Sequence, residues 1–127
     1  DADDIQEAAP MYPGFDNPDY IVDRIEAGTV YGAFLSDNTA DDTINTLAGI
    51  IGIHEEGSIG MLYVKLQYRH QKLATALETY AFNRALENGW IPYGQIIVGN
   101  EASMKLQESM GLHFSKSSVY WMTKNNA

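Results

Sequence analysis

Three apolar segments follow one another in the first half of the chain, and polar turns separate them. Residues 29–35 and 45–54 are rich in β-branched, aromatic and small side chains, whereas residues 36–42 between them are polar. A second polar turn at 55–58 precedes a third apolar segment at 59–66. Segments of this length bounded by turn residues are typical of strands, and short turns join strands that pair antiparallel. The sequence therefore predicts a three-stranded antiparallel meander.

Helical patterns lie on both sides of this meander. Asn17-Pro18 is a typical helix start and Gly28 a typical helix stop, which predicts a helix over about 18–27. A second helix follows the meander and ends at an Asn-Gly pair at 88–89. Its apolar side chains recur at spacings of three and four, the period of a helix. These side chains are Leu73, Ala76, Leu77, Tyr80, Ala81 and Ala85.

The remaining residues predict two more strands around a short helix. Residues 93–98 have the apolar composition of a buried strand, and residues 114–122 that of a last strand. Between them Asn100 is a typical N-cap for a helix over 101–110, which Gly111 ends. The predicted order of elements is α-β-β-β-α-β-α-β.

Composition excludes several classes of site. The 127 residues fit one domain, in which residues 1–16 form an acidic arm. No cysteine is present, which excludes disulfides, thiolate metal sites and thiol nucleophiles and favours a cytoplasmic setting. We expect no membrane and no metal partner, because no apolar run is long enough to span a bilayer and no set of histidines and carboxylates has ligand spacing. The chain begins with Asp1 and not Met, so we expect upstream residues to be missing.

The charged side chains are unevenly distributed. The net charge is -9, and residues 1–56 carry 13 of the 17 acidic side chains and a net charge of -12, whereas residues 57–127 carry +3. A nucleic-acid partner is not expected, because phosphate binding needs a basic face. The basic half of the chain suits an anionic ligand and the acidic half a cationic one.

Two junctions place the end of a predicted strand next to a helix N-terminus, at 64–74 and 98–103. Helix N-termini bind phosphate and other anions because their N–H groups lack partners within the helix. The first junction adds Arg69, His70 and Lys72. It lacks the glycines of a P-loop or a dinucleotide-binding fingerprint, so we interpret it as a pyrophosphate site of another class. The alternative is a solvated turn that leads into a helix.

The sequence at the first junction, LYVKLQYRHQKLATAL at 62–77, resembles the acyl-CoA-binding signature of the GNAT superfamily of N-acetyltransferases. In that family a strand of type L-x-V-x-P-x-Y-R leads into an R-x-x-G-x-A loop and a helix. Arg69, Lys72 and Ala74 occupy the three loop positions. Leu66 stands at the common Pro of the strand, and Lys72 stands at the Gly of the loop.

A second run, NEASMKLQESMGLHF at 100–114, resembles the family's N-x-x-[AS]-x-x-L-Y-x-x-x-G-F signature. The matching residues are Asn100, Ser103, Leu106 and Gly111. Gln107 stands where the family often has the Tyr that protonates the leaving thiolate. The resemblance covers about 18–123, and the ending GLHFSKSSVYWM is similar to the branch related to the C-terminal half of glycine N-acyltransferases.

The resemblance implies a GNAT fold of the α/β (α+β) class, a mixed, mostly antiparallel twisted sheet with helices on both faces. The family's first strand and helix would be missing from this sequence. The implied donor is acetyl-CoA, the acceptor is a small primary amine or amino-acid-like molecule, and a homodimer is one assembly that we expect. The pantetheine arm would enter between the strands 59–66 and 93–98. The CoA-binding residues would be Leu62, Tyr63 and Val64 for that arm, Arg69, His70, Gln71, Lys72, Leu73, Ala74 and Thr75 for the pyrophosphate, and Asn100 and Ser103 beside the CoA tail.

The chemistry that the resemblance implies is direct attack of an amine on the thioester, which needs a base, an oxyanion donor and an acid. A strand amide near Val64 would be the oxyanion donor. His54, Glu55 and Glu56 are the candidate bases because they follow the neighbouring strand, and His54 has the most suitable ordinary pKa. The alternative is that these three residues only form a polar turn. Tyr120 or water would protonate the thiolate.

Two other functions stay open. Lys72 in place of Gly and Gln107 in place of Tyr favour a CoA-binding domain with little activity, acting as a regulatory or interaction module. The acidic arm at 1–16 would suit a protein-interaction module that docks a basic partner and keeps only a vestigial CoA cleft.

Overall fold

The computed structural model describes residues 18–37, 44–120 and 122. The acidic arm predicted at 1–16 and the N-cap predicted at Asn17 lie outside these residues. The helices are α1 (Pro18–Glu26), α2 (Leu73–Glu87) and α3 (Glu101–Ser109), the strands are β1 (Val30–Asp37), β2 (Ile44–Ile53) and β3 (Ile59–Val64), and a 3-10 helix spans Leu66–Tyr68. The chain forms two compact units that divide between Gln95 and Ile96.

The first unit contains the predicted meander. Its sheet has the order β1-β2-β3, and both pairs are antiparallel. Each strand begins and ends within two residues of its predicted bounds. The prediction is therefore confirmed, and α1 and α2 also form where the helical patterns lie. Gly28 and Gly89 follow these two helices with φ of 75° and 74°, a backbone conformation that favours glycine.

The sheet buries side chains on both faces because a different helix covers each face. One face packs against α1, and its buried cluster is Ile21, Leu47, Ile50 and Met61. The other face packs against α2, and its buried cluster is Ile51, Ile53, Ile59, Val64, Leu77, Ala81 and Ala85. Helices on both faces of a mostly antiparallel sheet are what the resemblance to the GNAT superfamily implies.

Two bulges decide which strand residues reach which face. Side chains alternate along a regular strand, so Leu47 and Ile50 would face opposite sides. They share a face because the register shifts beside Ala33, where β2 carries an extra residue. In β3 a second shift coincides with Met61, whose φ is 54°. Ile59 and Met61 therefore lie on opposite faces although they are two residues apart.

The prediction of two additional strands from apolar composition is wrong for the described residues. The segment 93–98 makes one isolated parallel bridge, between Gly94 and Ile59, and Val98 is 87% exposed. The described part of 114–122 contains no strand. An apolar run indicates what a segment is able to bury, but a strand also needs a neighbouring edge to pair with, and composition does not specify that edge.

Candidate active site

The first part of the candidate site is the edge of β3 that faces away from β2. The Lys65 N–H donates to Ala48 O at 2.8 Å, toward β2. Successive residues of a strand direct their N–H and C=O groups to opposite edges, so the groups of Val64 point away from β2. At the start of β3, Ile59 N–H donates to Tyr93 O at 2.7 Å. Gly94 also forms a parallel bridge with Ile59, at the same end of β3.

The three residues predicted to contact the pantetheine arm lie on this strand. Leu62 is half-buried on the α2 face, Tyr63 is half-buried on the α1 face, and Val64 is buried. β2 approaches them closely, because a Cβ on Gly49 would lie 2.8 Å from Tyr63 O. The strand geometry therefore exposes backbone groups at the outer edge of β3, and close packing against β2 holds the strand in place.

Arg69 connects the loop after β3 to the end of the strand. Its Nε donates to Val64 O at 2.9 Å, and its guanidinium carbon lies 5.9 Å from the centre of the Tyr63 ring. The sequence predicts a phosphate contact for Arg69, whereas the structure shows it bonded to the strand. Arg69 therefore positions the loop as well as adding positive charge to it.

Lys72 directly precedes α2 and has the left-handed conformation, with φ 62° and ψ 20°. A left-handed residue is usually glycine, because a Cβ costs about 1 kcal/mol there. Lys72 thus has the left-handed conformation that glycine adopts easily. It lies at the position where the GNAT loop signature has glycine. His70, two residues earlier, is also left-handed with φ 64°. The loop backbone is therefore strained at two positions directly before the helix.

The N-terminus of α2 presents backbone donors. No side chain caps it, and the first backbone bond into Lys72 O comes from Ala76. The N–H groups of the first helical turn therefore have no partner within the helix. These groups belong to Leu73, Ala74 and Thr75, all half-buried, while the preceding Gln71 is exposed. Such an end attracts anions.

His54 lies at the end of β2 in a cluster that includes residues of α1. Tyr20 Oη is 2.9 Å from His54 Nδ1, and the two rings stack with centroids 6.0 Å apart. On the other side of the ring, Nε2 faces β3, since a Cβ on Gly60 would lie only 2.6 Å from it. The imidazole is half-buried and held between α1 and β3.

The environment of His54 favours its neutral form. Burial lowers the pKa of His54, and the positive charge of Arg24 adds to this effect, while the carboxylate of Glu56 opposes it. Burial alone would raise the pKa of Glu56, but hydrogen bonds from Ser58 and from its own N–H lower it below the usual value. A neutral imidazole near pH 7 is able to accept a proton.

The other two catalytic candidates have different surroundings. The Glu55 side chain is 74% exposed and lies 4.0 Å from Arg24 Nη1. Arg24 is itself largely buried and donates from Nε to Ile53 O at 3.3 Å. Tyr120 belongs to the second unit and is 81% exposed. Of the three, His54 alone combines partial burial, a side-chain partner from another element and a lowered pKa.

In the second unit, Asn100 and Ser103 lie at the start of α3. Ser103 N–H donates to Asn100 Oδ1 at 3.2 Å, which confirms the predicted N-cap. Gly111 follows the helix with φ 76°, as predicted. Gln107 lies in the last turns of this helix and is half-buried. The predicted CoA contacts of Asn100 and Ser103 are compatible with this geometry, because a helix N-terminus favours negative charge.

Sequence analysis missed Tyr20 and Gly60 as parts of the site. Tyr20 fits the apolar face of α1, and this pattern predicts burial and nothing more. Its partner His54 is 34 residues away along the chain. Gly60 lies inside a predicted strand, where an isolated glycine indicates a close approach of another group. That signal was present in the sequence, but it did not identify the approaching ring.

No helix among the described residues is long and apolar enough to cross a membrane. Within the same residues, no group of three or more histidines and carboxylates is placed to hold a metal ion.

The fold is similar to that of solved acetyltransferases. A crystal structure of a probable acetyltransferase matches with a TM-score of 0.70 at 17% identity, over 99% of this chain and 91% of that one. The AAC(6')-Iy enzyme, in complex with the bisubstrate analogue CoA-S-monomethyl-acetylneamine, matches with a TM-score of 0.68 at 12% identity, over 98% and 92%. A ribosomal-protein-alanine N-acetyltransferase from Brucella melitensis biovar Abortus 2308 matches with a TM-score of 0.68 at 19% identity, over 98% and 94%.

No curated protein matches the chain significantly in sequence. The model of the acetyltransferase (GNAT) family matches residues 3–112, which is most of the chain and includes both junctions. This protein therefore belongs to the GNAT family of acetyltransferases.

Proposed function

We propose that this acetyltransferase transfers the acetyl group of acetyl-CoA to a primary amine of a small molecule or amino-acid-like acceptor. The observation that carries the proposal is Lys72, which keeps the left-handed conformation of the motif glycine directly before the uncapped N-terminus of α2. A lysine does not adopt this conformation by intrinsic preference, so the loop geometry is imposed by the fold. That geometry suits a pyrophosphate bound by backbone amides.

The proposed CoA site has two parts in the first unit. The loop 69–75 would receive the pyrophosphate on the N–H groups that begin α2, with Lys72 and Arg69 supplying positive charge. The outer edge of β3 near Leu62 and Val64 would bind the pantetheine arm through backbone bonds. The AAC(6')-Iy neighbour is complexed with an analogue that contains CoA, which supports the same donor here. Asn100 and Ser103 belong to the second unit, and their contact with the CoA tail stays a prediction.

In the proposed reaction His54 accepts a proton from the acceptor ammonium. The amine nitrogen then uses its lone pair to form a bond to the thioester carbonyl carbon, and a β3 amide near Val64 stabilises the oxyanion. The C–N bond forms, the nitrogen releases a second proton to water, the C–S bond breaks, and the thiolate leaves with the electron pair. A proton from water restores the thiol, and His54 returns its proton to solvent. Protonation of the thiolate by Tyr120, a residue of the second unit, stays a prediction. The products are the acetylated amine and free CoA.

A cationic amine is the acceptor class that the charges favour. Glu55 and Glu56 flank His54, and residues 1–56 carry a net charge of -12. An acidic surface raises the local concentration of a cationic substrate. The names of two structural neighbours support an amine acceptor for this chain: the ribosomal-protein-alanine N-acetyltransferase, and the aminoglycoside antibiotic 6'-N-acetyltransferase AAC(6')-IG from Acinetobacter haemolyticus. The cytoplasmic setting, the homodimer, the glycine N-acyltransferase branch and the single-domain organisation stay predictions.

A CoA-binding domain with little activity is the second candidate function. Gln107 replaces the Tyr that the family often uses as the acid, and an amide does not protonate a thiolate. Tyr120, the other candidate acid, is 81% exposed. These two observations favour binding without efficient transfer.

Two measurements distinguish the functions. Thermal melting with and without acetyl-CoA tests binding, and thiol release from acetyl-CoA in the presence of a panel of primary amines tests transfer. We expect a higher melting temperature with acetyl-CoA and amine-dependent thiol release. Absence of any thermal shift would contradict both candidates, whereas a clear shift without thiol release for any amine would favour the second.

A further inference from the structure

The contact between Tyr20 and His54 joins α1 to the end of β2. We propose that Tyr20 is the positioning residue of the base: its hydroxyl oxygen accepts a hydrogen bond from Nδ1–H of His54 and holds the ring in the tautomer whose Nε2 accepts the proton. This inference rests on the proposed function, because it assigns a partner to the base of that reaction.

The hydrogen bond and the ring stacking fix the imidazole from the α1 side. Tyr20 Oη lies 2.9 Å from Nδ1, within ordinary hydrogen-bond distance. The rings stack at an angle of 27°, so the tyrosine ring also restrains rotation of the imidazole. Burial raises the pKa of Tyr20, and the backbone N–H of Glu55, in the turn that follows His54, opposes this rise.

The strand β3 fixes the ring from the opposite side. A Cβ at residue 60 would lie 2.6 Å from Nε2 and 2.9 Å from Cδ2 of His54. No real side chain tolerates such distances, so the ring occupies its position only because residue 60 is glycine. Nε2 is thereby directed to β3, the strand that carries the proposed thioester site at Leu62 and Val64.

The tautomer follows from the role of each nitrogen. A neutral imidazole carries one proton, so Nε2 accepts a proton only if Nδ1 holds the other. A hydrogen-bond acceptor at Nδ1 stabilises that arrangement, and it stabilises the imidazolium that forms when Nε2 is protonated. The Tyr20 oxygen is placed to be this acceptor. During the step, Nδ1 keeps its proton, Nε2 takes one from the ammonium, and Tyr20 neither gains nor loses a proton.

Charged groups from each neighbouring element act on the same ring. Arg24 of α1 disfavours the imidazolium, and Glu56 of the following turn favours it. Glu55 of that turn is exposed and pairs with Arg24 at 4.0 Å. No charged side chain of β3 lies among the groups that shift the His54 pKa within the described residues. Tyr20 contacts the ring through a neutral hydroxyl, so removal of that hydroxyl changes the orientation and tautomer without changing the net charge.

The test uses Tyr20→Phe, with Tyr31→Phe as the matched control. Phenylalanine keeps the ring and removes only the hydroxyl. Tyr31 is also a half-buried tyrosine, but it contacts Tyr80 on the opposite face of the sheet. Nitrogen-15 chemical shifts of the His54 ring report the tautomer, and the pH profile of kcat/KM with acetyl-CoA and an accepted amine reports the base.

We expect Nδ1 to be protonated in the parent protein and in Tyr31→Phe. In Tyr20→Phe we expect a mixture shifted toward the Nε2–H tautomer, a lower pKa of His54, and about a tenfold fall in kcat/KM with an unchanged KM for acetyl-CoA. A parent protein that holds the Nε2–H tautomer would overturn the inference, and this spectrum does not depend on the folding of any variant. So would an active Tyr20→Phe protein with a parental pH profile.

The same experiment separates this inference from the proposed function. A parent protein that releases no thiol with any amine contradicts the proposed function, and with it any catalytic role for Tyr20. A parent protein that acetylates amines, together with a Tyr20→Phe variant of equal kcat/KM, contradicts the positioning role alone.

Discussion

The loop before α2 and the cluster around His54 are two halves of the proposed site that are built in different ways. The loop works through its backbone: Lys72 and His70 are left-handed, and the N–H groups of the helix N-terminus are the proposed ligands. The cluster works through side chains, with Tyr20, His54 and Gly60 brought together from three elements. A backbone site depends on conformation, whereas a side-chain site depends on the identity of each residue.

This difference explains how the two halves respond to mutation. A substitution in the loop changes charge or strain while the backbone ligands remain, so its effect on donor binding is graded. Removal of the imidazole from the cluster eliminates the group that accepts the proton. We therefore expect the largest effects on catalysis from the cluster, and smaller effects on affinity and stability from the loop.

Replacement of the base has the largest expected effect. His54→Gln removes the proton acceptor and keeps a polar side chain of similar size, and general bases typically contribute about a hundredfold or more. We expect kcat/KM to fall by about that factor, with the affinity for acetyl-CoA unchanged. The control is His113→Gln, which changes an exposed histidine of the second unit. Equal activity of His54→Gln and the parent protein would remove His54 from the mechanism.

Displacement of the His54 imidazole, without a change in its chemistry, has the next largest expected effect on kcat/KM. In Gly60→Ala the new methyl group would lie 2.6 Å from His54 Nε2, so the ring has to move. We expect about a tenfold fall in kcat/KM because general-base catalysis requires hydrogen-bond reach to the proton. Acetyl-CoA binding, measured by calorimetry, is expected to stay at the parental value. A parental kcat/KM in a folded variant would show that the orientation of His54 is unimportant.

Reversal of the positive charges at Arg69 and Lys72 tests the loop before α2, the other half of the proposed site. We expect Arg69→Glu combined with Lys72→Glu to weaken acetyl-CoA binding by about tenfold, an effect that decreases with added salt. Arg84→Glu is the control, because it changes a charge near the opposite end of α2, about 18 Å along the helix from Lys72. Calorimetric titration measures each affinity. Unchanged affinity of the double variant would contradict the pyrophosphate assignment.

Glycine substitutions measure the backbone strain in the loop. Lys72→Gly and His70→Gly each replace a left-handed residue, so we expect each to raise the free energy of unfolding by about 1 kcal/mol. Gln71→Gly is the matched control, because Gln71 lies between them and its φ is not positive. This control is expected to lower stability slightly, because glycine loses more entropy on folding. Chemical denaturation compares the three variants. A destabilised Lys72→Gly would mean that the lysine is not strained.

The smallest predicted effect is a pH dependence of stability from the cluster. Burial holds the pKa of His54 below its ordinary value of 6.5, so the unfolded chain binds more protons than the folded one just below that pH. The stability from neutral His54 is therefore fully present above pH 6.5 and decreases as the pH falls toward the pKa of the folded state. His54→Gln is expected to flatten this slope in urea titrations. The lowered pKa of Glu56 acts in a separate window, below its usual value of 4.5.

Sequence reasoning recovered the meander, α1, α2 and α3 because each has a local pattern: strand segments between turns, apolar spacing, and caps such as Asn100. It also predicted the loop before α2, since the motif and the helix start are continuous in sequence. It failed for residues 93–98, because an apolar run does not specify the edge with which it pairs. It identified His54 as one candidate among three and could not identify Tyr20, because their contact joins segments 34 residues apart.

Mass-spectrometric detection of acetylated amine is the most direct test of the central claim. Purified protein is incubated with acetyl-CoA and a panel of small primary amines, and acetylated product and free CoA are quantified in the same reaction. The account predicts that the two products form in equal amounts, require the protein, and decrease about a hundredfold in His54→Gln. Saturable binding of acetyl-CoA without any acetylated amine would contradict it.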